Sequence, residues 1–495
     1  MLPVLPQNLG NVYPNLKKWY EYMNEKQKFD VAVIGAGPGG YTAAFRASDL
    51  GKKVIMIEKD AELGGVCLNR GCIPSKALLH LAKVMEDAKS LKKSGISFSK
   101  PQLDLEGIIN WKNSVVGKLN KGISQLAKAR NVEILHGTAQ FNSTNQLSIS
   151  TKDSTQTIEF DDCIIATGSR ASSIPDLEID HQKIINSTSA LQLSNIPENM
   201  LIIGGGYIGL EMGSVYHALG SEITVVEFMP TILPGADEDL VKPLYRKLKR
   251  AFKNIYLNSR VTAAKINNDS VQVNFKGEDG KEFSENYNIV LVSVGRKPNT
   301  DNLGLNNIGI LLTSNGYISV NEKRQTSISN IYAIGDITGD PMLAHKASHE
   351  GKVAAEVIAG HKAAFEPAVI PAVIFTDPEI AWAGPTESEL NDQGIPYEKG
   401  EFPWAASGRA LAINAIEGKT KLLFDPNSKK IISAGIVGPH AGDLIGEAIL
   451  AIEKGADPED IGLSIHPHPS LTETVANSAE MFIGTITDLY IPKTN

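Results

Sequence analysis

The chain has 495 residues, of which 42% are hydrophobic and 21% charged, with a formal net charge of −8. That length predicts two to four domains. The 48 Lys and Arg are spread along the chain against 56 Asp and Glu, which excludes a nucleic-acid or anionic-membrane footprint. No stretch approaches the ~20 apolar residues of a membrane helix, and three cysteines exclude a secreted disulfide scaffold and fit a reducing, cytoplasmic compartment.

Residues 1–28 read as an N-terminal extension of unknown role. They lack the apolar core and small-residue cleavage site of a signal peptide. With the first arginine at Arg46, and Glu21 and Glu25 among the lysines, they do not read as a mitochondrial presequence either. Residues 15–27 predict a short helix with Trp19, Tyr20 and Met23 on one side, a surface arm.

The run VAVIG at 31–35 then leads into GAGPGGYTAAF, where Gly35, Gly37 and Gly40 form G-x-G-x-x-G between a predicted strand and helix. Such glycines allow a tight turn, close approach of a pyrophosphate to backbone N–H groups, and close helix packing. The helix N-terminus adds partial positive charge. A second strand, KVIMIE, ends at Glu58, placed to accept ribose hydroxyls.

Next comes LGGVCLNRGCIPSK at 63–76, with Cys67 and Cys72 five positions apart. A crosslink, half a metal site and a redox pair are the candidate readings. Zinc needs three or four N/S ligands, and no other Cys or His lies near; a structural disulfide does not suit a reducing compartment. The redox pair is left. On a regular helix, Cα atoms five residues apart are roughly 8–9 Å apart, beyond the about 7 Å that a disulfide spans. Gly71 and Pro74 are therefore expected to distort the helix start and give a bent, easily opened bridge. A helix N-terminus and a nearby cation, Lys76, would lower a thiol's pKa. The third cysteine, Cys163, reads as an ordinary buried apolar residue.

The segment CIIATGSR (163–170) predicts a strand ending in a glycine turn. NMLIIGGGYIGLEMG then repeats the dinucleotide device with Gly204, Gly206, Gly209 and an acid at Glu227; the acid follows the last glycine by 18 residues in both copies. Two copies predict two dinucleotides. Glu227 would repel a 2′-phosphate, and no arginine lies between Arg170 and Arg246, so the second copy is expected to take NAD and not NADP. VLVSVGRKP (290–298) is another strand and turn. IYAIGD (331–336) followed by a helical stretch gives strand, turn, helix, with Asp336 either bonding a cofactor's sugar-like chain or capping the helix. Beyond residue 368, short alternating segments and a helix predict an α+β unit on an antiparallel sheet. In HPHPSLTE (466–473), Pro469 suits a first helical position. His468 with a carboxylate near it is either a proton-transfer residue or a capping histidine, and His466 a structural one.

GGVCLNRGCIPSK resembles the active-site helix of the flavin-dependent disulfide oxidoreductases. The resemblance runs from residue 29 to the C-terminus, through SKALLH, GLEMGSVYHALGS, AIGDI, MLAHKASHEGKVAAEVIAG, FPWAASGRA, HPHPSLTE and TITDL. It is closest to the branch that oxidises dihydrolipoamide with NAD⁺. The family implies an α/β fold with two Rossmann-like dinucleotide-binding domains, for FAD and NAD, and a C-terminal α+β dimerisation domain. The segments expected are 29–170 and 298–368 for FAD, 171–297 for NAD, and 369–495 for dimerisation.

The resemblance also implies residue roles. Cys67 faces the thiol substrate and Cys72 the flavin; His468, oriented by Glu473, is the acid–base, offered to the partner chain's flavin in a homodimer; Lys76 pairs with Glu211. FAD would rest on Gly35, Gly37, Gly40, Glu58, Lys59, Gly65, Cys67, Lys76, Ala139, Gly168, Asp336 and Ala344. NAD would rest on Gly204, Gly206, Tyr207, Gly209, Glu227, Val261, Ser293 and Gly295, with Tyr207 covering the flavin until the nicotinamide displaces it. No metal is implied.

The implied partners are lipoyl domains and the peripheral-subunit-binding region of the acyltransferase of a pyruvate or 2-oxoglutarate dehydrogenase complex, or the glycine cleavage H protein. Residues 1–28 are too few for a lipoyl domain. A glutathione reductase-like or mercuric reductase-like enzyme is the nearest rival, disfavoured by the missing arginines and by the lack of any cysteine after Cys163. A structural subunit without catalysis is disfavoured by the intact Cys67, Cys72, His468 and Glu473 set.

Overall fold

The computed structural model describes residues 27–490 apart from residue 176, so the helix expected over 15–27 lies almost wholly outside the described residues. These residues divide into two units. One holds the chain up to Gly65, Asn120–Ser169 and Pro298–Phe365; the other holds Val66–Leu119, Arg170–Lys297 and the chain from Glu366.

In the first unit, strand Gln27–Ile34 pairs in parallel with Val54–Glu58 on one side and Thr155–Ile165 on the other. Val31, Ala32 and Val33 are fully buried, as expected of a parallel strand covered on both faces. The sheet runs Glu133–His136, Val54–Glu58, Gln27–Ile34, Thr155–Ile165, Gln146–Ser150, Thr138–Ser143, and Ile331–Ala333 also pairs with Thr155–Ile165. Helix Pro38–Asp49 packs on helix Ala344–Ile358 so closely that a Cβ on Gly351 would meet Gly39 O at 2.6 Å. The predicted strand, turn and helix at 331–358 is present. Asp336, however, sits inside a 3-10 turn, Gly335–Thr338, and does not cap the long helix, whose cap position is Leu343.

In the second unit, a parallel sheet runs Asn254–Tyr256, Glu222–Val226, Asn199–Ile203, Ile289–Val292, Ile184–Asn186. A three-stranded antiparallel sheet, Arg260–Ile266 to Glu282–Tyr287, follows. The C-terminal part is the expected α+β arrangement: an antiparallel sheet ordered Ala372–Ile374, Glu379–Ala383, Ile431–Gly438, Lys419–Phe424, Glu398–Pro403, with helices Ala441–Lys454 and Glu473–Ile483.

One core explains why the helix after the cysteines belongs to this unit. Leu78 and Leu79 pack with Leu210, Val215, Leu240, Ile374, Ile380 and Val437. Among the described residues no helix is long and apolar enough to cross a membrane.

Candidate active site

The two glycine turns are built alike. Gly35 (φ +102°) and Gly204 (φ +106°) adopt backbone that side chains rarely tolerate. Gly37 and Gly206 are the extended cap residues of the helices that follow. A Cβ on Gly40 would stand 1.8 Å from Gly35 O, and one on Gly209 2.4 Å from Gly204 O. The last glycine of each motif is thus required by contact with the first.

The two acids also repeat each other. Glu58 accepts from Ala36 N (2.8 Å) and Asp60 N (2.9 Å); Glu227 accepts from Gly205 N (2.6 Å) and Met229 N (2.8 Å). A carboxylate has about four acceptor positions, so each acid is oriented by backbone and keeps capacity for ribose hydroxyls. Both sites therefore fit a dinucleotide.

Other residues expected at the first site are placed as follows. Gly65 (φ +60°) closes on Gly37, whose Cα a Cβ there would meet at 2.6 Å. Asp336 accepts from Ser169 Oγ at 2.5 Å. Gly168 (φ +65°) is tied through its carbonyl to Asn299 N. Ala344 opens its helix and Lys59 is exposed. Ala139 is buried in the sheet core, paired with Ile149, so its side chain is committed to packing.

At the second site, Ser293 Oγ donates to Ile203 O at 3.0 Å, and its carbonyl lies 2.5 Å from a Cβ built on Gly204. Val261 lies two residues after Ser259, whose N–H donates to Glu227 O. Gly295 (φ +112°) accepts from Ser172 N. Tyr207 is the first residue of its helix and 39% exposed.

The cysteines lie on either side of a break. Helix Gly65–Arg70 ends, Gly71 takes φ −148°, ψ −108°, and helix Cys72–Ser90 begins. A Cβ on Gly71 would meet Val66 O at 3.0 Å and Cys67 Cα at 3.4 Å. The close return of the chain therefore needs the glycine that the sequence offers. Pro74 falls in the first turn, where N–H groups lack helical partners anyway.

The two thiols interact across the break. With the proton on Cys67, that interaction and the Lys76 ammonium outweigh desolvation and Glu211 and lower the Cys72 thiol to about 7. Cys67, as donor to its neighbour and partly desolvated, is pushed well up. Cys67 is half-buried and Cys72 keeps open surface, so exposure by itself does not single out the substrate-facing sulfur; Lys76 favours the charged form of Cys72. Cys163 is fully buried and desolvated.

The expected ion pair forms. Lys76 Nζ lies 3.0 and 2.9 Å from the two oxygens of Glu211, which is 2% exposed. Phe375, which sequence reasoning missed, completes it: its N–H donates to Glu211 Oε1 at 3.1 Å and its ring centre lies 4.6 Å from Lys76 Nζ. Phe375 is 164 positions from Glu211, and no local pattern signals that approach.

His468 Nδ1 bonds Glu473 Oε1 at 2.8 Å, and the other carboxylate oxygen accepts from Ser470 N at 2.6 Å. Desolvation opposes ionisation of Glu473, but Ser470 N–H and His468 outweigh it and keep the acid below its ordinary range. His468 is 78% exposed, leaving Nε2 open for a proton. Pro469 is not the first helical residue: it follows a cis peptide in a loop, and the helix starts at Glu473, with Thr472 at the cap position. His466 is held locally by Ser464 O and Glu447.

A twinned dinucleotide device, with a thiol pair between the copies in the chain, is the pattern of a disulfide oxidoreductase. The chain belongs to the pyridine nucleotide-disulphide oxidoreductase family, whose model matches residues 29–351; the family's dimerisation domain matches residues 370–479 and supports a homodimer. It is an FAD-dependent oxidoreductase that acts on sulfur groups and uses NAD. Similar curated proteins carry the name dihydrolipoyl dehydrogenase. That of Buchnera aphidicola (subsp. Acyrthosiphon pisum) is 49% identical over 96% of this chain and 100% of its own. That of Vibrio parahaemolyticus is 46% identical over 94% and 98%, and that of Geobacillus stearothermophilus 45% over 92% and 96%. Among solved structures, LpdA of Mycobacterium tuberculosis shares the fold (TM-score 0.84, 23% identity, 92% of this chain and 99% of that one). So does the HOCl-induced flavoprotein disulfide reductase RclA of Escherichia coli (TM-score 0.81, 26% identity, 92% and 99%).

Proposed function

We propose that the chain oxidises protein-bound dihydrolipoamide to lipoamide, using the Cys67–Cys72 pair as the electron relay and NAD⁺ as final acceptor. The observation that carries this reading is the thiol pair across Gly71, with the thiolate favoured at Cys72 and Lys76 beside it.

Each chain group has a task. His468 Nε2 takes the proton of one substrate thiol, with Nδ1 held by Glu473. The substrate thiolate attacks Cys67 Sγ of the oxidised pair, and Cys72 leaves as the more stable thiolate. The second substrate sulfur, after losing its proton, displaces Cys67, which is protonated as the lipoyl disulfide closes. Two electrons now rest on the dithiol. When bound, FAD and NAD⁺ supply the path by which they leave as hydride. Gly35, Gly37, Gly40 and Glu58 would hold the first dinucleotide, and Gly204, Gly206, Gly209 and Glu227 the second. Lys76 and Glu211 fix a positive charge near Cys72; such a buried pair tunes the site more than it adds stability.

The same reading assigns residues 29–170 and 298–368 to FAD, 171–297 to NAD and 369–495 to the dimer, with His468 and Glu473 offered to the partner copy. Lipoyl domains and the peripheral-subunit-binding region of an acyltransferase are the macromolecular partners, in the cytoplasm. Replacing Cys67 with Ser is expected to abolish lipoamide-dependent NADH formation while the yellow flavin stays bound. Turnover that survives this change overturns the assignment.

A further inference from the structure

A buried ammonium gathers three acids from two distant segments of the chain. Lys421, on strand Lys419–Phe424, has its side chain 2% exposed, and its Nζ lies 2.8 Å from Asp237, 2.7 Å from Asp239 and 2.7 Å from Glu387. Oxygens of the three acids lie within 4.8 Å of one another. Three carboxylates so close repel unless a cation stands among them, and Lys421 fills the place that a metal ion would otherwise take. Lys419 and Lys399 approach Asp239 and Glu387 at 3.4 and 3.2 Å from more exposed positions. Desolvation opposes charge throughout, yet Lys421 stays protonated and Asp239 and Glu387 stay ionised, because each meets its opposite.

The position of Asp237 gives this cluster a function. It stands at the N-cap position of helix Glu238–Ala251, with its carboxylate turned away from the helix backbone to accept from Glu387 N at 3.0 Å. It is also the far end of the ten-residue stretch that follows Glu227. That stretch is fastened to the second glycine turn: Met229 N–H donates to Glu227 (2.8 Å), Leu233 N–H to Gly205 O (3.0 Å), and Ile232 stands 3.1 Å from a Cβ built on Gly205. One end thus carries the ribose acid, the middle rests on the turn, and the far end is held by the Glu387 N–H and by the Lys421 ammonium that offsets the charge of the three acids.

We propose that Lys421 is a positioning residue for the nicotinamide dinucleotide, clamping Asp237 to the C-terminal sheet so that Glu227 and the Gly204–Gly206 turn keep the geometry the ligand meets. The inference rests on the assignment of NAD to the second glycine turn. Without the ammonium, three acids repel, the end at Asp237 moves away, and Leu233 N–H parts from Gly205 O. No residue of the clamp comes from the first glycine turn or from the cysteine segment.

The test compares wild type with Lys421→Met, which keeps the length and removes the charge. The KM for NAD⁺ is expected to rise about tenfold, the scale of one lost hydrogen bond. The KM for dihydrolipoamide, kcat and flavin content should change by less than the KM for NAD⁺, because the Lys421 ammonium bonds Asp237, Asp239 and Glu387 and neither the cysteines nor the His468–Glu473 pair. Glu387→Gln, which keeps Lys421 and two acids, should give a smaller rise and covers the case in which Lys421→Met does not fold. An unchanged KM for NAD⁺, or equal changes for both substrates, overturns the clamp. NAD⁺ titration of the oxidised proteins by calorimetry gives the same answer without turnover. If wild type fails to oxidise dihydrolipoamide yet binds NAD⁺ more tightly than Lys421→Met, the proposed reaction fails and the clamp stands.

Discussion

The two dinucleotide turns share a backbone and differ in their walls. Their first glycines differ by 4° in φ (102° and 106°), and their acids take backbone N–H groups from the same relative positions, one after the first glycine and two after the acid. Around the first, Glu58 is 5% exposed and Gly65 closes on Gly37. Around the second, Glu227 is half-buried, Phe228 is 68% exposed and Tyr207 39%. The first helical residue is Pro38 in one copy and Tyr207 in the other. One device thus serves two purposes. Enclosure raises the cost of leaving and suits a resident cofactor, while an open wall suits a nucleotide that must come and go.

The severest way to break this pairing is to fill the contact that each turn depends on. Gly40→Ala puts a methyl 1.8 Å from Gly35 O and is expected to leave protein with almost no bound flavin by absorbance. Gly209→Ala meets Gly204 O at 2.4 Å and should spare the flavin. Its overpacking cost of about 1–3 kcal/mol would raise the KM for NAD⁺ roughly 5- to 150-fold. Flavin loss in Gly209→Ala would mean that the copies are not separate devices.

Glu227→Ala should weaken the preference for NADH over NADPH about tenfold, since it removes one charge opposite a 2′-phosphate; the ratio of kcat/KM values measures it. An unchanged ratio would place the discrimination elsewhere.

The thiol pair, lying in the chain between the copies, sharpens the contrast because it belongs to neither device. In the reduced protein, alkylation of Cys72, followed by mass spectrometry, should rise with pH around a midpoint of about 7, below the ordinary ~8.5 of a free thiol. Lys76→Met should move that midpoint up, because Lys76 favours the thiolate. The smallest effect is expected at Tyr207→Val: a rise of about two- to threefold in the NADH association rate by stopped flow, within the narrow range over which such rates vary. No change rejects Tyr207 as a cover.

Much of the site was legible because its parts are local. The glycine motifs, the Gly71 break and the five-residue step from His468 to Glu473 are each set within a few residues, and the acids 18 residues on within one strand–helix–strand unit. The reading failed where two local preferences competed. Pro469 suits a helix start, yet the helix begins four residues later at Glu473, whose carboxylate is drawn to Ser470 N–H and His468. Asp336 was open to two readings in the sequence, and folding removed the capping one by placing Leu343 at the cap of the long helix and turning Asp336 to Ser169.

The sequence by itself determined the two glycine turns with their following acids and the expectation of NAD over NADP, and it pointed to the Cys67–Cys72 pair, since each depends on spacing or charge along a short segment. Folding alone decided how Phe375 meets Lys76 and Glu211, and how Lys421 comes to stand among Asp237, Asp239 and Glu387. Those contacts join residues more than thirty positions apart. A lone lysine or phenylalanine carries no mark of the partners that a packed core will bring to it.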